Sequence, residues 1–416
     1  MKLATTLATT LAATSLLLSL NLHADDWPQW RGPNRDDISK ETGLLKKWPA
    51  GGPKRLWLNE DVGLGYSGFA VVGGTLYTQG ARDAVEYVIA VDAATGKEKW
   101  AAEAGPLLQN KWGDGPRGTP TVDGDKVYAI SGKGTLNCLS AADGKVLWST
   151  RLVEDLGGKL QNWGYTESPV VEGNLVICTP GGAAGTMAAF DKASGKKAWQ
   201  TEGWDDVAQY ASIVPATING VRQLVQLTGK SIAGVSPESG KVLWRQDFPG
   251  KTAVIPTPIV KGNQVFVSAG YGVGCMMVEI SADNTVKQIY ANTDLENHHG
   301  GVILVGDYLY GHSNKGGWTC MDFATGKVEW TEKKAVGKGA IHCADGMFYL
   351  QDEKTGEIVL VEVSPKGFKE KSRFTLEPQT MQRKPDGRVW THPVVSGGHL
   401  FLRDQELLSC YEVSGK

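Results

Sequence analysis

The chain has 416 residues, of which 41% are hydrophobic, and this length is enough for a large core or for many repeated units. Its 43 basic and 45 acidic side chains leave a formal net charge of −2. This balance argues against a nucleic-acid partner, because binding to a phosphate backbone requires a concentrated basic surface. The 53 glycines and 14 tryptophans favour a protein with many tight turns and a repeated aromatic packing position.

Residues 1–24 have the pattern of a secretory signal peptide. Lys2 precedes an apolar run, rich in Thr and Ser, that extends to Leu22, and Ala24 is followed by two aspartates. Cleavage after Ala24 would release a periplasmic or secreted protein, and an uncleaved membrane anchor is the alternative. No cysteine follows the apolar run, so a lipid anchor is not indicated. Since no later segment is long and apolar enough to cross a membrane, we expect no transmembrane segment in the mature protein.

Residues 25–54 are predicted to form an N-terminal arm that packs on the rest of the protein. The segment is rich in aromatic residues and proline and lacks the alternation of a β-strand. We expect Trp27 and Trp30 to bury their rings on the body of the protein. Residues 55–57, Arg-Leu-Trp, then resemble the end of a repeated unit without its beginning.

From residue 55 to residue 416 the sequence repeats one pattern. Residues 90–100 read AVDAATGKEKW, residues 189–199 read AFDKASGKKAW, and residues 320–330 read CMDFATGKVEW. A Thr, Ser or Asp followed by Gly between two apolar runs is typical of a β-hairpin turn. Repetition on this scale indicates a solenoid or a propeller.

Each unit contains two such hairpins, hence four strands, and closes on an aromatic residue. The closing residues are Trp57, Trp100, Trp148, Trp199, Trp244, Tyr290, Trp330 and Phe374. A spacing of roughly 40–50 residues with four strands per unit is typical of a β-propeller. The sequence therefore predicts an all-β fold, an eight-bladed β-propeller of four-stranded antiparallel blades. The strand at residues 55–57 would complete the last blade, and seven blades is the alternative if the Tyr290 unit is irregular.

The repeated motif, A-x-D-x-x-[TS]-G-K-x-x-W, resembles the tryptophan docking motif of the PQQ-like (pyrroloquinoline quinone) repeat family. Its eight-bladed members include the quinoprotein alcohol dehydrogenases and the BamB proteins, and the resemblance covers essentially the whole mature chain. Residues 27–33 (WPQWRGP) and 113–120 (GDGPRGTP) are similar to exported proteins of this family. The resemblance implies that the Trp of one blade stacks on a peptide of the next. These roles are structural, so the motif implies an architecture and no chemistry.

The six cysteines are predicted to be isolated thiols rather than disulfide partners. Cys138, Cys320 and Cys410 take the place that the small residues Ala90 and Ala189 hold in other units. A free cysteine there acts as a small hydrophobic residue. No C-x-x-C-H motif for covalent haem occurs.

Residues that enter the first strand of each unit should line the mouth of the central channel, where we expect a ligand to bind. The twelve candidates combine aromatic and titratable groups: Tyr66, Arg117, Trp163, Tyr165, Glu167, Gln209, His298, His299, Lys338, His342, Trp390 and His392. A metal site on His298, His342 and His392, or acid–base catalysis with Glu167, would suit such a cluster. Histidines that only form hydrogen bonds inside a hydrated channel are the simpler interpretation, and we predict no metal site.

Five tryptophans lie outside both the arm and the closing positions. They are Trp112, Trp163, Trp204, Trp318 and Trp390. Exposed on loops, they would suit the faces of sugars. Packing within the loops is the alternative.

We predict a non-catalytic binding or scaffolding protein of the cell envelope, a monomer whose protein, small-molecule or carbohydrate ligand binds at the channel mouth. The alternative is a quinoprotein-type oxidoreductase that uses PQQ with calcium on an alcohol, a sugar or a polymer. The resemblance implies that such enzymes carry an adjacent cysteine pair, which this sequence lacks. No cofactor is therefore predicted, and PQQ with calcium belongs to the alternative.

Overall fold

The computed structural model describes residues 26–415, and the regular elements in that range are all β-strands. The predicted signal peptide lies outside the described residues. The strands form eight sheets, seven of four strands and one of five. These sheets are the blades of a ring, numbered 1 to 8 in chain order.

Two short strands precede the blades, β1 (Ile38–Ser39) and β2 (Arg55–Asn59). Blades 1 and 2 contain β3 (Ala70–Val72), β4 (Thr75–Arg82), β5 (Val85–Asp92), β6 (Glu98–Pro106), β7 (Thr121–Asp123), β8 (Lys126–Ile130), β9 (Thr135–Ser140) and β10 (Val146–Arg151). Blades 3 and 4 contain β11 (Val170–Glu172), β12 (Leu175–Cys178), β13 (Ala188–Asp191), β14 (Lys197–Gln200), β15 (Val214–Ile218), β16 (Val221–Leu227), β17 (Ser231–Val235) and β18 (Val242–Asp247). Blades 5 and 6 contain β19 (Ile259–Lys261), β20 (Gln264–Ala269), β21 (Gly274–Ile280), β22 (Val286–Asn292), β23 (Val302–Val305), β24 (Tyr308–Ser313), β25 (Gly317–Asp322) and β26 (Val328–Glu332). Blades 7 and 8 contain β27 (Gly339–Ala344), β28 (Met347–Asp352), β29 (Glu357–Glu362), β30 (Glu370–Thr375), β31 (Val394–Ser396), β32 (His399–Asp404) and β33 (Leu407–Glu412).

Blade 8 is built from both ends of the propeller sequence. Its strand order is β2-β33-β32-β31, and β2 pairs antiparallel with β33, with Trp57 opposite Cys410. This pairing covers an edge that would otherwise be open. The predicted eight-bladed propeller with a composite last blade is confirmed. The seven-blade alternative is wrong, since β19 to β22 form a regular four-stranded blade that ends around Tyr290.

In several blades, an aromatic side chain on the outermost strand contacts the next blade. The Trp57 indole of blade 8 donates to the Ala93 carbonyl of blade 1 at 3.0 Å. Its ring lies over Gly96, where φ is +73° and a Cβ atom would come within 2.5 Å of the ring. Because only glycine accepts both this left-handed backbone and this close approach, the Gly of the repeated motif is a packing requirement.

The six cysteines are buried free thiols, which confirms the prediction. Cys138 in β9 and Cys410 in β33 are fully buried among apolar side chains. Burial raises the pKa of the Cys138 thiol to about 11 and that of Cys410 to about 12. Both groups are therefore neutral packing residues near neutral pH.

The described part of the arm, residues 26–54, crosses the central channel. Trp27 forms an antiparallel bridge with Val71 of blade 1, and its ring is buried. The Pro28 carbonyl accepts a hydrogen bond from the Val122 N–H of blade 2 at 2.8 Å. Strand β1 then pairs in parallel with β27 of blade 7, which makes blade 7 the five-stranded sheet.

Two buried arginines of the arm reach three more blades. Arg35 donates to the Ser168 carbonyl at the entry of blade 3 at 3.2 Å and to the Ile213 carbonyl before blade 4 at 2.9 Å. Arg31 donates to the Val302 carbonyl of blade 6 at 2.5 Å. Both guanidinium groups thus donate to backbone carbonyl groups near the inner strands that would otherwise lack hydrogen-bond partners.

Trp30 and Glu41 complete the contacts of the arm. The Trp30 indole donates to Thr257 Oγ1 at the entry of blade 5 at 3.0 Å. Glu41 accepts the backbone N–H groups of Gly397 and Gly398, in the turn between the first two strands of blade 8. The arm therefore bonds to all eight blades and lies as a plug across the channel.

Candidate functional site

A cavity of about 210 Å³, here named the axial pocket, lies inside the ring among the connections between blades. Trp30 and Arg31 of the arm are among its lining residues. The arm turns the channel into a pocket whose mouth is at the inter-blade connections.

Seven of the twelve predicted residues line the axial pocket. They are Tyr66, Arg117, Trp163, His298, His299, Trp390 and His392. The other five lie behind the wall or under the arm, and they are Tyr165, Glu167, Gln209, Lys338 and His342. The structure thus brings together side chains from connections on opposite sides of the ring.

Tyr165 and Glu167 point away from the axial pocket because side chains alternate along an extended chain, and Thr166 and Ser168 take the inward positions. Tyr165 is a core residue whose hydroxyl donates to the Pro180 carbonyl at 2.8 Å. Burial raises the pKa of the Glu167 carboxyl to about 7.

Glu167 is held inside blade 3. It accepts hydrogen bonds from the Thr179 backbone N–H at 2.7 Å and from the Thr179 hydroxyl at 2.9 Å. Gln209 shows the same alternation, since its neighbour Tyr210 lines the axial pocket while Gln209 accepts the Val254 N–H at 3.2 Å. Glu167 and Gln209 therefore bond to residues behind the pocket wall and do not face the axial pocket.

His342 lies beneath the arm and is fully buried. Its Nδ1 is 2.9 Å from Asp37 Oδ1, and its Nε2 accepts the Val395 backbone N–H at 3.2 Å. Since the backbone N–H of Val395 can only donate, Nε2 of His342 is unprotonated, and Nδ1–H donates to Asp37. His342 therefore orients the arm and does not face the axial pocket.

A charged network supports one side of the axial pocket. Lys338 Nζ lies 3.0 Å from His298 Nδ1 and 3.3 Å from Glu353 Oε1. The second oxygen, Glu353 Oε2, lies 2.9 Å from His299 Nε2 and accepts the Trp390 indole N–H at 2.9 Å. Glu353 thus contacts three side chains through its two oxygens, and Lys338 extends the network to His298.

The partners of this network determine its protonation states. An ammonium group has no acceptor, so Lys338 donates to His298 Nδ1 and the neutral His298 ring carries its proton on Nε2. Burial, with the charges of His299 and Lys338, lowers the pKa of His298 to about 3. Burial would raise the pKa of Glu353, but hydrogen bonding to His299 and the charge of Lys338 outweigh it and bring the pKa to about 2.

Aromatic rings cover much of the wall in between. Tyr66 and Trp390 have centroids 5.0 Å apart, Trp390 and His299 are 5.5 Å apart, and Trp163 and Tyr210 are 5.5 Å apart. Trp112, 6.3 Å from Trp390, extends the wall. Of the five loop tryptophans, Trp112, Trp163 and Trp390 thus line the axial pocket, whereas Trp204 and Trp318 are buried structural residues.

Trp30, Trp112 and Tyr271 line the axial pocket but are not among the twelve predicted channel-mouth residues, and Glu353, behind the wall, is also missing from that prediction. Tyr271 and Glu353 follow the second strands of blades 5 and 7, in turns that face the same side as the inter-blade connections. That topology was the signal that could have identified them. Trp30 could be placed only from the path of the arm.

The donors around the axial pocket do not form a metal site. No group of three or more His, Cys, Asp or Glu side chains in residues 26–415 could hold a metal ion. Calcium takes six to eight oxygen ligands, and the two oxygens of Glu353 are already engaged by Lys338, His299 and Trp390.

No helix in the described range is long and apolar enough to cross a membrane.

The blade repeat, the ring closure and the axial pocket define a β-propeller of the PQQ-like repeat class. The sequence matches the family described as outer membrane protein assembly factor BamB over residues 84–332, more than half of the chain. The chain belongs to this family.

BamB proteins and quinone-dependent alcohol dehydrogenases are both among the similar proteins. BamB of Yersinia pestis is 23% identical over 298 residues, which are 69% of this chain and 71% of that protein. Quinohemoprotein alcohol dehydrogenase ADH IIB of Pseudomonas putida is 34% identical over 120 residues, 27% of this chain and only 17% of the dehydrogenase. The crystal structure of the quinohemoprotein alcohol dehydrogenase of Comamonas testosteroni superposes with a TM-score of 0.64 at 12% identity, covering 94% of this chain and 81% of that one. This last likeness shows the fold alone.

Proposed function

We propose that the protein is a non-catalytic binding protein of the cell envelope, and that a small ligand occupies the axial pocket. The observation that carries the proposal is the aromatic wall around a channel that the arm plugs from one side. Such concave, largely apolar sites with a few fixed polar groups are typical of small-molecule binding.

Two titratable groups, His298 in the wall of the axial pocket and Glu353 behind that wall, support binding rather than catalysis. A general acid or base works best when its pKa is near the working pH. The pKa of His298 is lowered to about 3 and that of Glu353 to about 2, so both stay in one protonation state near neutral pH. They would act as fixed hydrogen-bonding groups.

Two observations support a location in the cell envelope. Residues 1–24 have the composition of a signal peptide, and the matching family is described as an outer membrane protein assembly factor. Membership of that family is compatible with a role in binding, with or without a protein partner.

The second candidate function is a PQQ-dependent oxidoreductase, which the partial matches to quinone-dependent dehydrogenases favour. The residues around the axial pocket do not fit that cofactor with its calcium ion, because no carboxylate is among the lining residues in the described range and the neighbouring Glu353 is engaged by Lys338, His299 and Trp390. The chain also lacks an adjacent cysteine pair. No reaction step is derived through PQQ.

A thermal-shift screen with sugars, sugar acids and small aromatic acids tests the proposal, since a ligand of the folded state raises the melting temperature by mass action. Ile255→Trp should abolish the shift, because Ile255 lines the axial pocket and an indole would fill it. Ile289→Trp is the matched control, since Ile289 is exposed on the outermost strand of the same blade. Reduction of an electron acceptor by the protein with PQQ, calcium and an alcohol would instead support the oxidoreductase.

A further inference from the structure

Arg117 presents an unpaired cation to the axial pocket, and the following inference rests on the proposed binding function. Its guanidinium lies 5.0 Å from the centre of the Tyr66 ring. Nε donates to the Trp163 carbonyl at 3.1 Å, and Nη2 donates to the Gly113 carbonyl at 3.1 Å. Nη1 is buried and has no hydrogen-bond partner among the described residues. The two satisfied nitrogens hold the guanidinium in place at the axial pocket, and Nη1 is left without a partner of its own.

The acidic side chains near Arg117 are already committed to other partners. Glu86 accepts the backbone N–H of Gly132 at 2.6 Å and that of Leu108 at 2.9 Å. Asp114 pairs with Lys384 at 2.7 Å. Arg117 itself forms no ion pair with any residue between 26 and 415. A partly buried guanidinium without a counter-charge has an unfavourable desolvation term, which an anionic ligand would offset.

His298 provides a donor on the other side of the axial pocket. Arg117 lies in the connection before blade 2 and His298 in the connection before blade 6, four blades apart in a ring of eight. With Lys338 bonded to Nδ1, the proton of the neutral His298 ring is on Nε2, which is free to donate. Between these two groups lie the aromatic rings of Tyr66, Trp163 and Trp390.

We propose that the axial pocket binds a small organic carboxylate that carries a ring with an apolar face. The carboxylate would accept a charge-assisted hydrogen bond from Arg117, and the ring would pack on Tyr66, Trp163 or Trp390. A polar group at the far end of the ligand would accept from His298. Sugar acids and aromatic acids share this chemistry, and they differ only in the ring that contacts the aromatic wall.

Two matched pairs of probes test this assignment on the wild-type protein by isothermal titration calorimetry. The pairs are galacturonate with galactose, and 4-hydroxybenzoate with 4-hydroxybenzyl alcohol. At least one acid should bind about tenfold or more tightly than its neutral counterpart, as expected for a hydrogen bond to a charged group. The pair with the tighter acid identifies the ring type. This comparison does not depend on the folding of any variant.

Variants then assign the preference to Arg117. Arg117→Gln should remove the preference for the acid, and Arg117→Lys should keep part of it, because lysine retains the charge but not the planar fork. Arg388→Gln is the control, since Arg388 donates only to carbonyls of its own loop and lies outside the axial pocket. Equal binding of acid and neutral probes would overturn the carboxylate assignment and leave the binding function standing. Failure of all four probes to bind, together with a negative thermal-shift screen, would overturn both.

Discussion

Asp37 fixes the arm in the channel at the scale of single residues. One carboxylate oxygen accepts from His342 at 2.9 Å, and the other lies 3.7 Å from both Arg31 and His392. Burial would raise the pKa of Asp37, but the hydrogen bond from His342, the nearby His392 and the charge of Arg31 outweigh it and lower the pKa. The anion is therefore stable although the group is buried.

Asp37→Asn should lower the free energy of unfolding by about 3 kcal/mol, because it leaves the buried Arg31 without its counter-charge. Chemical denaturation measures the change. The control is Asp307→Asn, in which an exposed aspartate paired with Lys261 is neutralised and little change is expected. Equal effects of the two substitutions would show that Asp37 does not anchor the arm.

Glu353 provides a prediction of pH dependence. Its pKa in the folded protein is about 2, below the value of about 4.3 in an unfolded chain. A carboxylate with a lowered pKa stabilises the fold fully above the unfolded value, and the contribution is lost as the pH falls toward the folded value. The difference in unfolding free energy between wild type and Glu353→Gln should therefore shrink as the pH falls from about 4.3 to about 2.

Denaturation at a series of pH values measures this difference, with the exposed Glu202→Gln as the control. A difference that is constant over the interval would contradict the assigned role of Glu353 in the network.

At the scale of single residues, seven of the twelve predicted residues line the axial pocket and five do not. Entry positions such as Tyr66 and His298 follow from the repeat, because each blade begins at the same side of the ring. The prediction did not resolve which of two neighbours points inward, as with Tyr165 and Thr166, since that depends on where the extended chain begins its alternation. Glu353 lies in a hairpin turn behind the wall, where only the topology of the ring, and no local sequence pattern, distinguishes it from a surface residue.

The hairpin between the third and fourth strands is the element that sets the contact between blades. The Trp100 ring of blade 1 lies over Gly144 of blade 2, and its indole donates to the Ala141 carbonyl at 3.1 Å. Tyr290 replaces tryptophan at the end of blade 5, and its hydroxyl donates to the Phe323 carbonyl of blade 6 at 2.9 Å. The repeat could be predicted because this contact imposes the same residues on many hairpins.

Gly144→Ala should destabilise the protein by about 1–3 kcal/mol more than Gly124→Ala. Both glycines have a left-handed backbone, with φ of +75° and +59°. A Cβ atom at Gly144 would lie 2.5 Å from the Trp100 ring, whereas one at Gly124 would meet nothing within 4 Å. The pair therefore separates the ring contact from the backbone strain.

Thermal and chemical unfolding of both variants measure the difference. Equal losses would mean that the ring adapts to the methyl group and that the Gly serves the turn alone.

At the scale of the whole molecule, the N-terminal segment closes the ring and plugs its channel. Strand β2 completes blade 8, and the residues before it bond to every blade. The number of blades could be predicted from the repeats. The path of the arm could not, because it depends on whether Arg31 and Arg35 meet inward-pointing carbonyls from distant parts of the sequence.

The central claim is that the plugged channel is a binding site for a small ligand. Calorimetric titration of wild type, Ile255→Trp and Ile289→Trp with the best probe of the thermal-shift screen tests it most directly. We predict saturable binding with one site in wild type and Ile289→Trp, and a loss of at least tenfold in affinity in a folded Ile255→Trp variant. Unchanged affinity in all three proteins would place the ligand outside the axial pocket and contradict the claim.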